Sequence, residues 1–317
     1  MYDIVALGEV LIDFAAVSTD YEGYPTMAAH PGGAPANFLA AISKLGGKTA
    51  LIGKVGNDTF GRLLLNTLNN SGIDTAGMII SEDFFTTLAF VTFDEHGDRS
   101  FAFSRKPGAD TQLSFDEIKM SIIDNSSAFH FGTLSLTNEP AKTATRKAVE
   151  YAKSKRKIIT FDPNLRKPLW ETMDEARKEI LWGLSMADIV KISDDEVEFL
   201  FDLSPEQGAK HILEHFGTKL VFVTCGADGC IYANQNAFGH VPGLKGLKVV
   251  DTCGAGDIFG GSAVWGVLNT GKDPDKLDTS ELKRIVSFAC AAAGLSTERS
   301  GGISSIPSPY EVESIIV

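Results

Sequence analysis

Cysteine is scarce. Cys225, Cys230, Cys253 and Cys290 are the only four in 317 residues, with no Cys-x-x-Cys pair and no histidine at a zinc spacing. Their pattern offers neither a disulfide framework nor a structural zinc site, and a reduced, cytoplasmic setting is expected. Positive charge is short as well. A net charge of −12 and a pI near 5.0 argue against nucleic acid or an anionic membrane as the main partner. A phosphorylated ligand stays open, because Mg²⁺ and local dipoles can handle its charge. Long apolar runs are missing: Met1-Tyr2-Asp3-Ile4-Val5 carries no basic region and no long apolar stretch, so no signal peptide or membrane span is read there. Three familiar motifs are also absent. No Gly-x-Gly-x-x-Gly follows the first apolar run, which counts against a dinucleotide-binding oxidoreductase. Gly47-Lys48-Thr49 imitates the end of a Walker loop, but Ile42 stands where that loop needs glycine, and a helix precedes it. His211 and His215 lack the carboxylate of a zinc hydrolase and read as a solvated helix face.

What is present suits a soluble α/β enzyme. The chain is 44% apolar with 31 glycines, enough for one large domain or two small ones. Its centre of interest is Val249-Val250-Asp251-Thr252-Cys253-Gly254-Ala255-Gly256-Asp257-Ile258-Phe259. A β-branched run stops at an acid, three small residues follow, and a second acid opens a long run of small and apolar residues that reads as a helix. The N–H groups of Gly254, Ala255 and Gly256 at a helix N-terminus offer an anion cradle. Asp257 in the first turn is expected to stay ionised, because the helix dipole favours its charged form. An anion cradle beside a base is what phosphoryl transfer to a hydroxyl requires.

Elsewhere the strand ends are informative. Ile4–Gly8 reads as a strand buried on both faces. Asp13 follows among apolar neighbours, as a turn aspartate or an acceptor for ligand hydroxyls. Pro31-Gly32-Gly33-Ala34-Pro35-Ala36-Asn37 enters a helix, with glycines that let backbone approach a ligand or simply make the turn. Leu88–Phe93 and Arg99–Arg105 form a hairpin around Asp94–Asp98. By period two, Arg99, Phe101, Phe103 and Arg105 share one face, suited to a sugar or to packing on another sheet. From residue 127, strands at Ala128–Phe131, Ile158–Phe161, Ile189–Ile192 and Leu220–Thr224 alternate with helices at 140–155, 174–183 and 204–216, the pattern of a parallel sheet. Ligands gather at the C-terminal ends of such strands. Those ends carry Phe161–Arg166, Lys191–Glu196 and Thr224–Gly229. Arg166 offers a clamp for phosphate or a hydroxyl. Ser193 and Glu196 offer groups for a metal-bound water or phosphate, or an ordinary N-cap. Gly226 and Gly229 leave room for a nucleotide.

Asp251-Thr-Cys-Gly-Ala-Gly-Asp257 resembles the signature of the ribokinase-like sugar kinases. Pro31–Asn37 and Gly53-Lys-Val-Gly-Asn-Asp-Thr-Phe-Gly61 resemble that family's N-terminal pattern. Phe161–Trp170 and Lys191–Leu200 are similar to its fructokinase branch. The resemblance runs from about residue 4 to 309. It implies a single doubly wound α/β domain over 1–317, mostly parallel in its sheet, with helices on both faces and a β lid from about 11–30 and 82–106. It implies Asp257 as the catalytic base, Gly254, Ala255 and Gly256 as the anion hole, and Arg166 beside the reacting groups. Sugar contacts fall on Asp13, Gly33, Asn37, Phe103, Arg105 and Arg166, and the nucleotide on Lys191, Ser193, Thr224, Gly226, Gly229 and Gly256. Glu196 matches the acid that reaches Mg²⁺ through water, although Ser193 stands where many relatives carry asparagine. Asp251 and Cys253, with the loop at Ser300–Gly302, mark a candidate monovalent-cation (K⁺) site. The implied reaction phosphorylates fructose from ATP in a homodimer paired through the lid. 2-Keto-3-deoxygluconate kinase is the rival within the family, a ribokinase or nucleoside kinase is more distant, and a catalytically dead sugar-binding regulator is the rival outside enzymology.

Overall fold

The computed structural model describes residues 1–93 and 99–316, the side chains of 92, 93 and 99–101 excepted. The turn expected at Asp94–Asp98, and the side chains of Arg99 and Phe101, lie outside the described residues. The main sheet has nine strands in the order β13-β12-β11-β10-β9-β8-β1-β4-β5. They are β1 (Tyr2–Leu7), β4 (Thr49–Gly56), β5 (Ile73–Ser81), β8 (Ser126–Gly132), β9 (Ile158–Asp162), β10 (Ile189–Ser193), β11 (Leu220–Thr224), β12 (Cys230–Asn234) and β13 (Phe238–Val241). β5 through β11 run parallel, and β12 and β13 add an antiparallel edge. A separate sheet, β3-β2-β6-β7, is built from β2 (Leu11–Thr19), β3 (Pro25–Gly32), β6 (Leu88–Phe93) and β7 (Arg99–Ser104).

The apolar run in β1 explains the layering. Side chains alternate along a strand, so Ile4 and Ala6 enter one core while Val5 and Leu7 enter the other. The first core is covered by α1 (Ala34–Lys44), α2 (Thr59–Asn70), α8 (Ala255–Leu268) and α9 (Thr279–Ser296). The second lies under α3 (Met120–Asp124), α4 (Ala141–Ser154), α5 (Met173–Met186), α6 (Asp194–Phe201) and α7 (Pro205–Phe216), while α10 (Pro309–Glu313) closes a small third cluster through Val312. Parallel strands with helices on both faces make this a doubly wound fold, as the alternation of elements implied. Phe14 of β2 stacks on Phe90 of β6 at 5.3 Å and meets Phe60 of α2 edge-on at 5.5 Å, which seats the small sheet on the large domain.

Strand order reverses between β1 and β8, and open α/β sheets hold their ligands at such a switch point. The chain enters the small sheet after β1 and again after β5, and leaves it after β3 and after β7, at residues 8–11, 81–88, 32–34 and 104–109.

Candidate active site

The small residues of the 251–257 loop set its shape. Gly254 caps α8 at φ 76°, a left-handed conformation that a side chain would strain. A Cβ there would also lie 2.9 Å from the Cα of Gly302. Asp251 accepts hydrogen bonds from the N–H of Cys253 (2.9 Å), the N–H of Gly301 (3.0 Å) and the Ser300 hydroxyl (3.4 Å), tying the loop to residues 300–302. The first N–H groups of a helix have no carbonyl one turn back. The Ala255 N–H donates a long 3.3 Å bond to the Thr252 carbonyl, and the Gly254 and Gly256 N–H groups make no backbone bond within the described chain. The cradle expected from three residues therefore has two open donors, with the Ala255 N–H turned back into its own loop.

Asp257 is buried and held from two sides. Asn37 Nδ2, on the first turn of α1, donates to Oδ2 at 2.9 Å, and Asn164 Nδ2 donates to Oδ1 at 3.2 Å. The position of Asn37 follows from Pro31–Ala34. Gly33 has φ 112°, and a Cβ there would come within 2.7 Å of the Glu9 carbonyl. Glu9 Oε1 accepts the N–H of Ala34 at 2.9 Å, so α1 starts against the end of β1. Burial raises the Asp257 pKa above the ordinary carboxylate value, against the lowering pull of Asn37, Lys191 and Arg166. This corrects the expectation of a dipole-lowered acid: desolvation outweighs the helix terminus.

Other acids share that environment. Burial pushes Glu9 up to about 7 and Asp13 up to about 6, with Arg105 opposing the first and Arg166 the second. Asp162 is raised by burial too, and Lys191 Nζ lies 3.1 Å from its Oδ2. Burial alone would lower Lys191, but the fields of Asp162, Glu196 and Asp257 raise it, so its ammonium stays charged. A Cβ on Gly256 would meet that ammonium at 3.1 Å, which places a fixed positive charge against the cradle.

These groups surround a cleft of about 560 Å³, walled by Glu9, Asp13, Asn37, Phe103, Arg166 and Lys191, with Gly254, Gly256 and Asp257 at one end. A second cavity of about 680 Å³ lies beyond, formed by Thr224, Gly226 and Gly229 after β11, the Gly243–Leu247 segment, and Phe259, Cys290, Ala293 and Gly294 from α8 and α9. The two hollows share Thr252 and Gly256. A polar cleft and an apolar cavity thus meet at an anion cradle.

A family model described as pfkB family carbohydrate kinase matches residues 1–309. Fructokinase-1 of Zea mays is 40% identical over 317 residues, covering 99% of this chain and 97% of that protein. A fructokinase from Xylella fastidiosa with bound ATP superposes with a TM-score of 0.91 at 29% identity, covering 100% of this chain and 98% of that one. A double mutant of fructokinase from Vibrio cholerae O395, in a form bound to fructose, ADP and potassium ion, gives 0.87 at 30% identity, covering 100% and 99%. The chain belongs to the pfkB family of carbohydrate kinases. It is a sugar phosphotransferase with the ribokinase-like fold that its motifs resembled.

The kinase gathers most of the expected residues, and moves some. Asp13, Gly33, Asn37, Phe103, Arg166, Lys191, Cys253, Gly254, Gly256 and Asp257 line the polar cleft. Thr224, Gly226, Gly229, Ala255 and Gly256 line the apolar cavity. Arg105 lines neither, which departs from the sugar contact that the resemblance implied and matches the packing use that the period-two reading left open. Its guanidinium is buried, donating to Asp110 (2.8 Å), to the Thr137 hydroxyl (2.8 Å) and to the Leu134 carbonyl (2.9 Å). Ser193 and Glu196 also stand back from both hollows. They form the capping box of α6, and Glu196 Oε1 accepts the Leu165 N–H at 2.7 Å. Glu196 Oε2 accepts the Ser193 N–H at 2.9 Å, so each carboxylate oxygen keeps a lone pair that fits a metal ion or a metal-bound water. Among the described residues no cluster of three or more His, Cys, Asp or Glu side chains forms a metal site, and no helix is long and apolar enough to cross a membrane. His211 and His215 stack on each other at 4.2 Å on α7. Sequence reasoning missed Glu9, Asn164 and Asp162 as site residues. Asp-Pro-Asn reads as a common turn, and only its place after a β-strand, level with Asp257, marks it.

Proposed function

We propose that this kinase transfers the γ-phosphoryl group of ATP to the 6-hydroxyl of fructose, with Asp257 as base. The observation that carries the reading is the chemistry of the cleft wall. Glu9, Asp13 and Asp257 face a substrate that must bring hydroxyls, and Lys191 is already paired with Asp162. A keto acid needs fixed positive charge beside Arg166; Lys167 stands next to it in the cleft wall, but Arg105 is committed to Asp110 and three carboxylates face the same space. That favours a neutral sugar over 2-keto-3-deoxygluconate.

The sugar enters the polar cleft, where Asp13 and Asn37 accept and donate hydrogen bonds to its hydroxyls and Phe103 covers an apolar ring face. ATP occupies the apolar cavity, with its terminal phosphate at the seam. Asp257 orients the acceptor hydroxyl and takes its proton late in the transfer, as the transition state is loose. A raised pKa makes Asp257 a better base than a dipole-lowered acid, and its two amide donors fix its oxygens. The Gly254 and Gly256 N–H groups, the Lys191 ammonium and Arg166 stabilise charge on the moving phosphoryl group. Glu196 would help to hold the Mg²⁺ of the bound nucleotide, which would supply further charge neutralisation. A monovalent cation at Asp251 and Cys253 belongs to the same reading; activity higher in potassium than in a large organic cation supports it, and equal activity removes it. Pairing through the small sheet, which exposes Val17 and, in the turn that follows, Tyr21 and Tyr24, is checked by sedimentation against a Tyr21→Asp, Tyr24→Asp double variant.

An ADP-release assay over fructose, 2-keto-3-deoxygluconate, ribose, glucose and adenosine tests the central claim. Fructose is expected to give the highest kcat/KM. A better sugar acid or nucleoside ends the fructose assignment, and no turnover with any of them revives the dead-regulator reading.

A further inference from the structure

The role vacated by Arg105 at the cleft has a replacement at the root of the small sheet. The chain crosses between the two sheets four times, and a polar group stands at each crossing. Glu9 lies at the first and accepts the Ala34 N–H of the second. Thr87 lies at the third and donates its hydroxyl to Asp110, while its carbonyl accepts the Ile12 N–H at 3.2 Å. Arg105 lies at the fourth, paired with the same Asp110 at 2.7 Å, and the Ala109 N–H reaches back to the Phe85 carbonyl at 2.8 Å. Glu9, Thr87, Arg105 and Asp110 are all buried. On the side of the large domain, Arg105 is fixed by Thr137 and by the carbonyl of Leu134, which lines the cleft.

We propose that Arg105, Asp110 and Thr87 form a clasp at the root of the small sheet that holds Phe103 and Glu9 across the cleft and so keeps water from the transferring phosphoryl group. Arg105 and Asp110 are positioning residues in this scheme. Phe103 lies in the last two residues of β7 and Arg105 is the first residue beyond its end, so the anchored guanidinium sets where the strand end, and with it that ring, sits over the sugar. Both hydrogen-bonding edges of Asp110 are occupied, one by the strand that enters the sheet and one by the strand that leaves it. The two strands therefore move as a unit or not at all. A buried pair of this kind is rigid because separating it leaves an uncompensated charge. Water is the competing acceptor for the phosphoryl group, and a loosened root admits it.

The inference rests on the kinase reading, and the experiment separates the two. ADP and sugar phosphate are measured together, with fructose and ATP, for the full-length wild type, Arg105→Lys, Thr87→Val and Arg146→Gln. The last breaks the Arg146–Glu179 pair between α4 and α5, which shares no residue with the clasp. Wild type is expected to form one ADP per sugar phosphate. Arg105→Lys and Thr87→Val are expected to raise that ratio about threefold or more, whereas Arg146→Gln keeps it at one for the same loss of Tm. Thr87→Val keeps the shape and both charges, so it remains informative where the arginine variant folds poorly. One-to-one coupling in both clasp variants overturns the proposal, as does equal uncoupling in Arg146→Gln. A rise in fructose KM confined to Arg105→Lys, with Thr87→Val silent, also overturns it, by making Arg105 a direct sugar contact. Wild type that forms no sugar phosphate overturns the kinase reading itself, and the clasp with it.

Discussion

The polar cleft and the apolar cavity are similar in size and opposite in chemistry. The cleft is walled by acids whose pKa values burial has raised, with charges compensated side by side. The cavity is walled mainly by glycines, alanines and apolar side chains, with three threonines and Lys245, and it has no acid or arginine in its lining. The cleft recognises by hydrogen bonds, and a buried polar group left unpaired there is costly. The cavity recognises by shape, and an extra methyl group there costs little beyond the space it takes. Sugar selectivity is therefore expected to be steep and donor selectivity shallow.

The sharpest break in this contrast is at Asp257. Asp257→Asn is expected to lower kcat about 10³-fold while fructose binding by calorimetry changes less than about threefold. A variant retaining most of its kcat removes the base role. At the seam, Gly254→Ala forces a side chain into left-handed backbone against Gly302, and kcat is expected to fall about 10²-fold with either substrate varied. A loss seen only in the KM for one substrate means the seam belongs to one side. Within the cleft, Asp13→Asn is expected to raise the fructose KM about 30-fold and leave the ATP KM unchanged. Within the cavity, a Cβ on Gly294 already lies 3.1 Å from Leu244 Cβ, so Gly294→Val is expected to raise the ATP KM about tenfold and spare fructose. Crossed effects in these two variants collapse the contrast.

The smallest effect is on stability. Asp13 binds its proton more tightly folded, near pH 6, than unfolded, where the value is 3.8. The folded state thus loses stability as pH rises from 4 to 6, by ~3 kcal/mol at most. Asp13→Asn lacks that loss. Its Tm is expected to exceed wild type by a few degrees at pH 8 and to match it below pH 4. Equal melting at pH 8 means the carboxyl is solvated and the burial argument fails.

The sequence showed half of the small sheet through the hairpin of Leu88–Phe93 and Arg99–Arg105, and the cradle through three consecutive small residues before a helix. Both are local patterns, and a few adjacent residues suffice to state them. The raised acids were hidden, because the burial of Asp257 depends on Asn37, 220 positions away in sequence, and on Asn164, 93 away. Arg105 was misplaced for a related reason. Alternation identified its face, but the acid that captures it stands five residues later, beyond the strand. Glu9 drew no reading from the sequence, because the Ala34 N–H that it accepts lies 25 positions away.

The bond from Leu165 N–H to Glu196 reaches further than a helix cap. Glu196 opens α6, back from both hollows, on the side proposed for the nucleotide, and the next residue after Leu165 is Arg166, which lines the polar cleft. One carboxylate thus holds the backbone that carries a sugar-side arginine. Thermodynamic reciprocity then fixes a relation between the substrates: whatever factor bound nucleotide applies to sugar affinity through this link, bound sugar must apply to nucleotide affinity.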